Sequence, residues 1–148
     1  MSMQENTAIV RRYLEEVLTQ NQVAAIPDYV TTDYVNHQLP PGTPRGPTGE
    51  QQLIAGFHGG FPGFTITIQD AVDDGPKVAV RFRFQGVHTG TFQGIPATGK
   101  RVDVQCINIF HLQGTQIKEN WPSLDMLSLL QQIGVIPAPG QQLVGAGV

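Results

Sequence analysis

From Val102 to Leu112 the chain alternates without a break. Val102, Val104, Cys106, Asn108, Phe110 and Leu112 share one side, because successive side chains of a strand point to opposite faces. Asn108 is the only strongly polar member of that row. Gly114 supplies a turn, and Gln116 to Trp121 reads as a second strand that carries the only tryptophan. Pro122-Ser123 is expected to break that strand. Ser123 is the expected N-cap of a helix that stops at Gly134, with Met126, Leu127, Leu129, Leu130 and Ile133 at helical spacing. A hairpin with one polar group on an apolar face, closed by a helix that begins with Asp125, is suited to floor a pocket.

Upstream, Thr7 to Thr19 forms an amphipathic stripe of Ile9, Val10, Tyr13, Leu14, Val17 and Leu18. Val23 to Val30 reads as a short second helix, and Thr31 to Pro47 as an irregular loop dense in proline and glycine. Thr48 and Gln51 match a capping box, so a third helix is expected to start there and to stop at His58-Gly59-Gly60. Phe64, Ile66 and Ile68 alternate with polar residues, Asp73-Asp74-Gly75 signals a hairpin turn, and Val78, Val80, Phe82 and Phe84 alternate again. In that register His88 lands on the inward face unless a bulge at Gly86 flips it. Helices ahead of an antiparallel sheet mean an α+β fold. The 148 residues suit a single domain, 1–148, with an extended tail from Pro137 that is either frayed or laid on a partner subunit.

Charge and composition narrow the function. A net charge of -3 gives no basic field, which counts against nucleic acid as the main partner. A single cysteine allows no intrachain disulfide. The N-terminal stretch has no signal-peptide pattern and no segment approaches membrane-spanning length, so a soluble cytoplasmic protein without membrane contact is the default expectation. Ile107 and Ile109 make the outer row of the central strand apolar too, and no helix remains to cover it. A second copy is expected there, giving a homodimer or higher homo-oligomer.

Several residues have both a chemical and a structural reading. Asp125 is a candidate general base if burial raises its pKa; an acidic residue in the first turn of a helix is the structural alternative. His37 and His88 are candidate base and polariser, or hydrogen-bonding loop and strand-end residues. Asn108 must find a partner in its apolar row: backbone, Asp125, a histidine, or the carbonyl oxygen of a ligand. Trp121 reads as a pocket wall or as core. Cys106 has no neighbour to activate it and reads as a small apolar residue. No metal-ligand spacing occurs, so no metal is expected. Phe57 and Phe110 are among the phenylalanines expected to line an apolar cavity for a flat or ring-shaped ligand.

Four stretches, IVRRYLEEV, DYVNHQLPPG, GVHTGTFQGIPATGKRV and IFHLQGTQIKENWPSLDMLSLLQQIG, together resemble the SnoaL-like polyketide cyclases. The order of elements resembles the cone-shaped α+β barrel shared by ketosteroid isomerase, scytalone dehydratase and nuclear transport factors. The resemblance runs from Ile9 to Gly134 and implies a curved antiparallel sheet wrapped by helices, a deep pocket, and oligomerisation through the outer sheet face. It also implies acid–base chemistry on a small apolar carbonyl compound with no cofactor: cyclisation, isomerisation or elimination. In the anthracycline cyclases an aspartate acts as acid and base with a histidine nearby. Aligned without gaps, those positions hold Pro122 and Asn108 here, a pocket glutamine's position holds Cys106, and an early-loop asparagine is kept as Asn36. The candidate catalytic set is then Asp125, His37, His88 and Asn108, and the candidate binding set Asn36, Trp121, Cys106, Phe57 and Phe110. A non-catalytic small-molecule-binding protein of the same fold is the alternative, and an oligomerisation domain with a filled core is the third reading.

Overall fold

The alternation persists along the whole of β4 (Arg101–Gln113): Val102, Val104, Cys106, Asn108, Phe110 and Leu112 are buried, and Asp103, Gln105, Ile107 and Ile109 are exposed. The structure is a computed structural model and describes residues 3–138 and 140. The expected tail beyond Ala138 lies, Gly140 apart, outside the described residues.

In chain order the elements are α1 (Met3–Arg12), which continues as a π-helical stretch Tyr13–Thr19, a 3-10 turn Val23–Ala25, α2 (Ile26–Tyr29), β1 (Val30–Asn36) and α3 (Pro47–Gly60). β2 (Thr65–Asp74), β3 (Lys77–Val87), β4, β5 (Gln116–Leu124) and α4 (Met126–Gln132) follow. The sheet is five-stranded and open, in the order β1-β5-β4-β3-β2. The fold is α+β as expected, but the sheet is mixed, because β1 runs parallel to β5.

Three local expectations change. First, residues 30–36 are strand rather than a helix end and loop: Val30, Tyr34 and Asn36 are buried, and Val30, Val35 and Asn36 pair with β5. The run is short and only partly alternating, so β5 rather than local pattern makes it a strand. Second, β5 continues through Pro122 to Leu124, with Asn108 facing Pro122 and Cys106 facing Leu124. β1 has left by then, its last partner being Asn120, so Pro122 lies where one edge of β5 is unpaired and a missing N–H costs little. Asp125, not Ser123, then caps α4. Third, α3 begins at Pro47, with Gly46 as N-cap and no side-chain cap from the Thr48/Gln51 pair; proline suits the first helical position because its absent N–H would have no partner there. The β2–β3 turn is Gly75-Pro76, with Asp74 paired to Lys77 and Gly75 at φ +67.

The core lies between the helices and the inner sheet face. Ile9, Val10, Tyr13, Leu14 and Val17 from the first helical stripe pack there with Val78, Val80, Phe82 and Phe110. A second cluster gathers Phe61, Phe64, Phe84, Phe92, Leu129 and Ile133 at the end closed by α4. Among the described residues no helix is long and apolar enough to cross a membrane.

Candidate functional site

A cavity of about 60 Å³ separates the helices from the inner sheet face. An engineered cavity of about 150 Å³ holds benzene, so this one has room for a small fragment, and a whole ring requires side chains at its wall to move. Phe57, Phe82, Phe84 and Phe110 supply much of the wall. The polar lining comes from Tyr13, Asn36, Gln38, Glu50, Asn108 and Asn120.

Glu50 is the centre of that polar group. It sits in the first turn of α3 and is 2% exposed. Tyr13, at the junction of α1 and the π-helical stretch, donates its hydroxyl to Glu50 Oε2. Tyr34 donates to the same oxygen at 3.0 Å, and Asn36 Nδ2 donates to Oε1 at 2.9 Å. Burial raises the Glu50 pKa, and the three donors hold the rise back. Burial, then the Glu50 charge, also push the Tyr13 phenol well up. Among the described residues lining the cavity, Glu50 is the only carboxylic acid.

The asparagines follow from strand parity. Asn36 on β1 pairs with Asn120 on β5, and Asn120 pairs with Phe110 on β4. All three asparagines, Asn36, Asn108 and Asn120, are buried on the inner face. Asn108 meets its need for a partner next door: the Cys106 Sγ donates to its Oδ1 at 3.0 Å. Burial pushes the Cys106 thiol up to about 12, which keeps it protonated and able to donate. Asn36, Cys106, Phe57, Phe110 and Asn108 all line the cavity.

The other candidates do not. Asp125 is exposed and caps α4, accepting from the Ser128 N–H at 3.1 Å and from its hydroxyl at 2.6 Å. These bonds lower its pKa, the reverse of the rise a general base needs. Burial against Trp121 does not occur, because Trp121 pairs with Ile109 and so lies on the outer face. His37 goes to the same side: it stacks on Trp121 with ring centroids 4.8 Å apart and bonds Glu119 at 2.9 Å. Glu119 also meets His111 at 3.5 Å. His88 is fully buried as the register predicts, but it packs on Phe61 in the second cluster, with Nδ1 on the Thr98 hydroxyl. These four therefore stand in three separate places, away from the cavity.

Sequence reading passed over Glu50, Tyr13, Tyr34 and Asn120. In the sequence Tyr13 falls within an apolar helical stripe, Tyr34 within the Thr31–Pro47 stretch, and Glu50 inside the Thr48–Gln51 capping pattern. The usable signal was Asn120, a second polar residue two positions from Pro122 on the inward row of β5. Among the described residues no group of three or more His, Cys, Asp or Glu stands close enough to hold a metal ion.

An open mixed sheet, helices on one face, and a cavity between them with polar groups at one side define a cone-like α+β pocket protein. The SnoaL-like polyketide cyclase family model matches residues 8–133, and the chain belongs to that family. The chain is similar to TsrD from Streptomyces laurentii, with a TM-score of 0.83 and 24% identity over 92% of this chain and 99% of that one. It is similar to a candidate polyketide cyclase from Bacillus cereus ATCC 10987, with a TM-score of 0.77 and 29% identity over 92% and 87% of the two chains. For IdmH from Streptomyces antibioticus the TM-score is 0.76, with 27% identity over 87% and 98%. Among curated proteins none matches the chain.

Proposed function

We propose that the chain moves a proton next to the carbonyl of a small apolar compound held in this cavity, without a cofactor, and so promotes ring closure, isomerisation or elimination. Glu50 is the acid–base group. A carboxylate has about four lone-pair sites; three are engaged by Tyr13, Tyr34 and Asn36, which leaves one for a substrate proton. Glu50 takes a proton from the carbon beside the carbonyl, and the C–H electron pair becomes the enolate. The Asn108 amide N–H donates to the enolate oxygen. Protonated Glu50 then returns its proton to carbon in an isomerisation, to the new alkoxide in a ring closure, or to the departing hydroxyl oxygen as the C–O bond breaks in an elimination. Family membership supports this reading, and the observation that carries it is the buried carboxylic acid in the cavity wall. Asp125, His37 and His88 lie outside the cavity lining and take no part in this proposal.

A binding protein without turnover is the second reading. The three donors already gripping Glu50 favour it, because they make the carboxylate a weaker base. Melting the protein with cyclic and polycyclic ketones, and following turnover in the wild type and Glu50→Gln, separates the two. Turnover that Glu50→Gln loses while ketones still stabilise it supports catalysis; stabilisation with turnover in neither form supports binding alone. We also propose a homodimer through the outer face, where Ile107 and Ile109 are each 42% exposed.

A further inference from the structure

Asn120 carries an atom that the chain does not satisfy. It lies on β5, is 3% exposed and lines the cavity. Its Oδ1 is buried with no hydrogen-bond partner among the described residues. The neighbouring network sets which way the amide faces. Tyr34 gives its one proton to Glu50, so its phenolic oxygen is left to accept. The Asn120 amide acts on Tyr34 as a donor does, against the pull of Glu50. With the nitrogen directed there, the oxygen is the end left over.

The other two asparagines differ. Asn36 has both ends engaged, its Nδ2 on Glu50 and its Oδ1 on the Gln38 N–H at 2.9 Å. Asn108 receives the Cys106 thiol at its Oδ1, so its amide nitrogen is the end that can still donate. The residues lining the cavity therefore include one unpartnered acceptor on β5, the buried Asn120 Oδ1, and an amide on β4 whose nitrogen can donate. An amide oxygen only accepts, and the phenylalanine wall has no hydrogen to give it. An occupant that brings a hydroxyl would supply the missing donor.

We propose that the occupant carries a hydroxyl in addition to its carbonyl, that Asn120 Oδ1 receives this hydroxyl, and that Asn120 is the residue selecting a hydroxylated ring ketone over the same ketone without the hydroxyl. This rests on reading the cavity as a ketone site. A site that hydrogen-bonds a ligand hydroxyl rejects the analogue lacking it, because the buried protein group is then left unpaired.

Acetophenone and its three monohydroxy isomers are suitable one-ring probes, with affinities measured by calorimetry on the wild type and on Asn120→Leu. The expected result is that at least one hydroxy isomer binds the wild type about tenfold more tightly than acetophenone. In Asn120→Leu that preference disappears while acetophenone itself still binds. A role limited to holding Tyr34 would weaken all four probes alike and leave the ratio in place. A crystal structure of the wild type with the preferred isomer needs no variant, and should show its hydroxyl within hydrogen-bond distance of Asn120 Oδ1. Equal affinities in the wild type, a preference that survives in Asn120→Leu, or a hydroxyl placed elsewhere overturns the inference and leaves the cavity as a ketone site. Failure of all four probes to bind overturns the ketone site and takes the inference with it.

Discussion

Glu50 and Asp125 are both carboxylic acids near a helix start, and their surroundings shift them in opposite directions: burial raises Glu50, and hydrogen bonds from Ser128 lower Asp125. Glu50 has a pKa raised first by burial, so the folded state holds its proton to higher pH than the unfolded chain does. The stability this contributes is complete below the ordinary carboxylate range of about 4.3 and is lost as pH rises through Glu50's own raised value. Urea melts at increasing pH should show that decline in the wild type. Glu50→Gln, uncharged throughout, should gain steadily on the wild type as pH rises; parallel curves would count against a buried ionising group. Asp125 is lowered by its bonds to Ser128, so its contribution is present above the ordinary range and is lost as pH falls through its lowered value. Asp125→Ala should lower the melting temperature by loosening α4 and leave ketone affinity unchanged. A loss of ketone binding in that variant would reinstate Asp125 as a site residue.

At the scale of elements, β4 shows what periodicity can decide. Its inner and outer rows are the ones the alternation assigns, so Phe110→Ala should cost about 3–5 kcal/mol in a urea melt, as for a large ring removed from a packed core. Ile109→Thr, on the outer row, should change the stability of the monomer by about 0.5 kcal/mol or less. The α+β class, the pairing of β2 with β3 and of β4 with β5, and the inward set Cys106, Asn108 and Phe110 were all legible in this way. β1 was not, because its seven residues carry little pattern and acquire strand geometry from β5, far along the chain. Glu50 was hidden for the same reason: whether an acid in a helix's first turn is solvated or buried depends on which strand lies beneath it. Here that strand is β1, with Tyr34 and Asn36. The outward position of Trp121 and His37 needs the pairing of β4 with β5, which alternation within one strand does not give. Trp121 pairs with Ile109 on the outer row, and His37 stacks on it. The end of α3 also constrains the loop after β3: a Cβ on Gly90 would sit 1.9 Å from the Gly59 carbonyl oxygen, so the loop crosses the helix end at a distance that only a glycine at position 90 allows.

On the scale of the whole molecule, helices cover one face of the sheet and the other presents Ile107 and Ile109 beside Trp121. Light scattering should give twice the chain mass of 16.1 kDa, and Ile107→Glu with Ile109→Glu should shift the protein to the monomer with its fold intact. A wild-type mass of one chain at working concentration would remove the dimer. β1 holds a different kind of position. It is a sheet edge, hydrogen-bonded to one neighbour across a broken register, yet it carries two of the three groups that grip Glu50. Segments of this kind open at lower free energy than central strands. Backbone amides of residues 30–36 should therefore exchange with deuterium well before those of β4. When this edge peels away, Tyr34 and Asn36 leave the glutamate while the remaining four strands still hold together, so the proposed chemistry can lapse as a local event, long before the molecule melts.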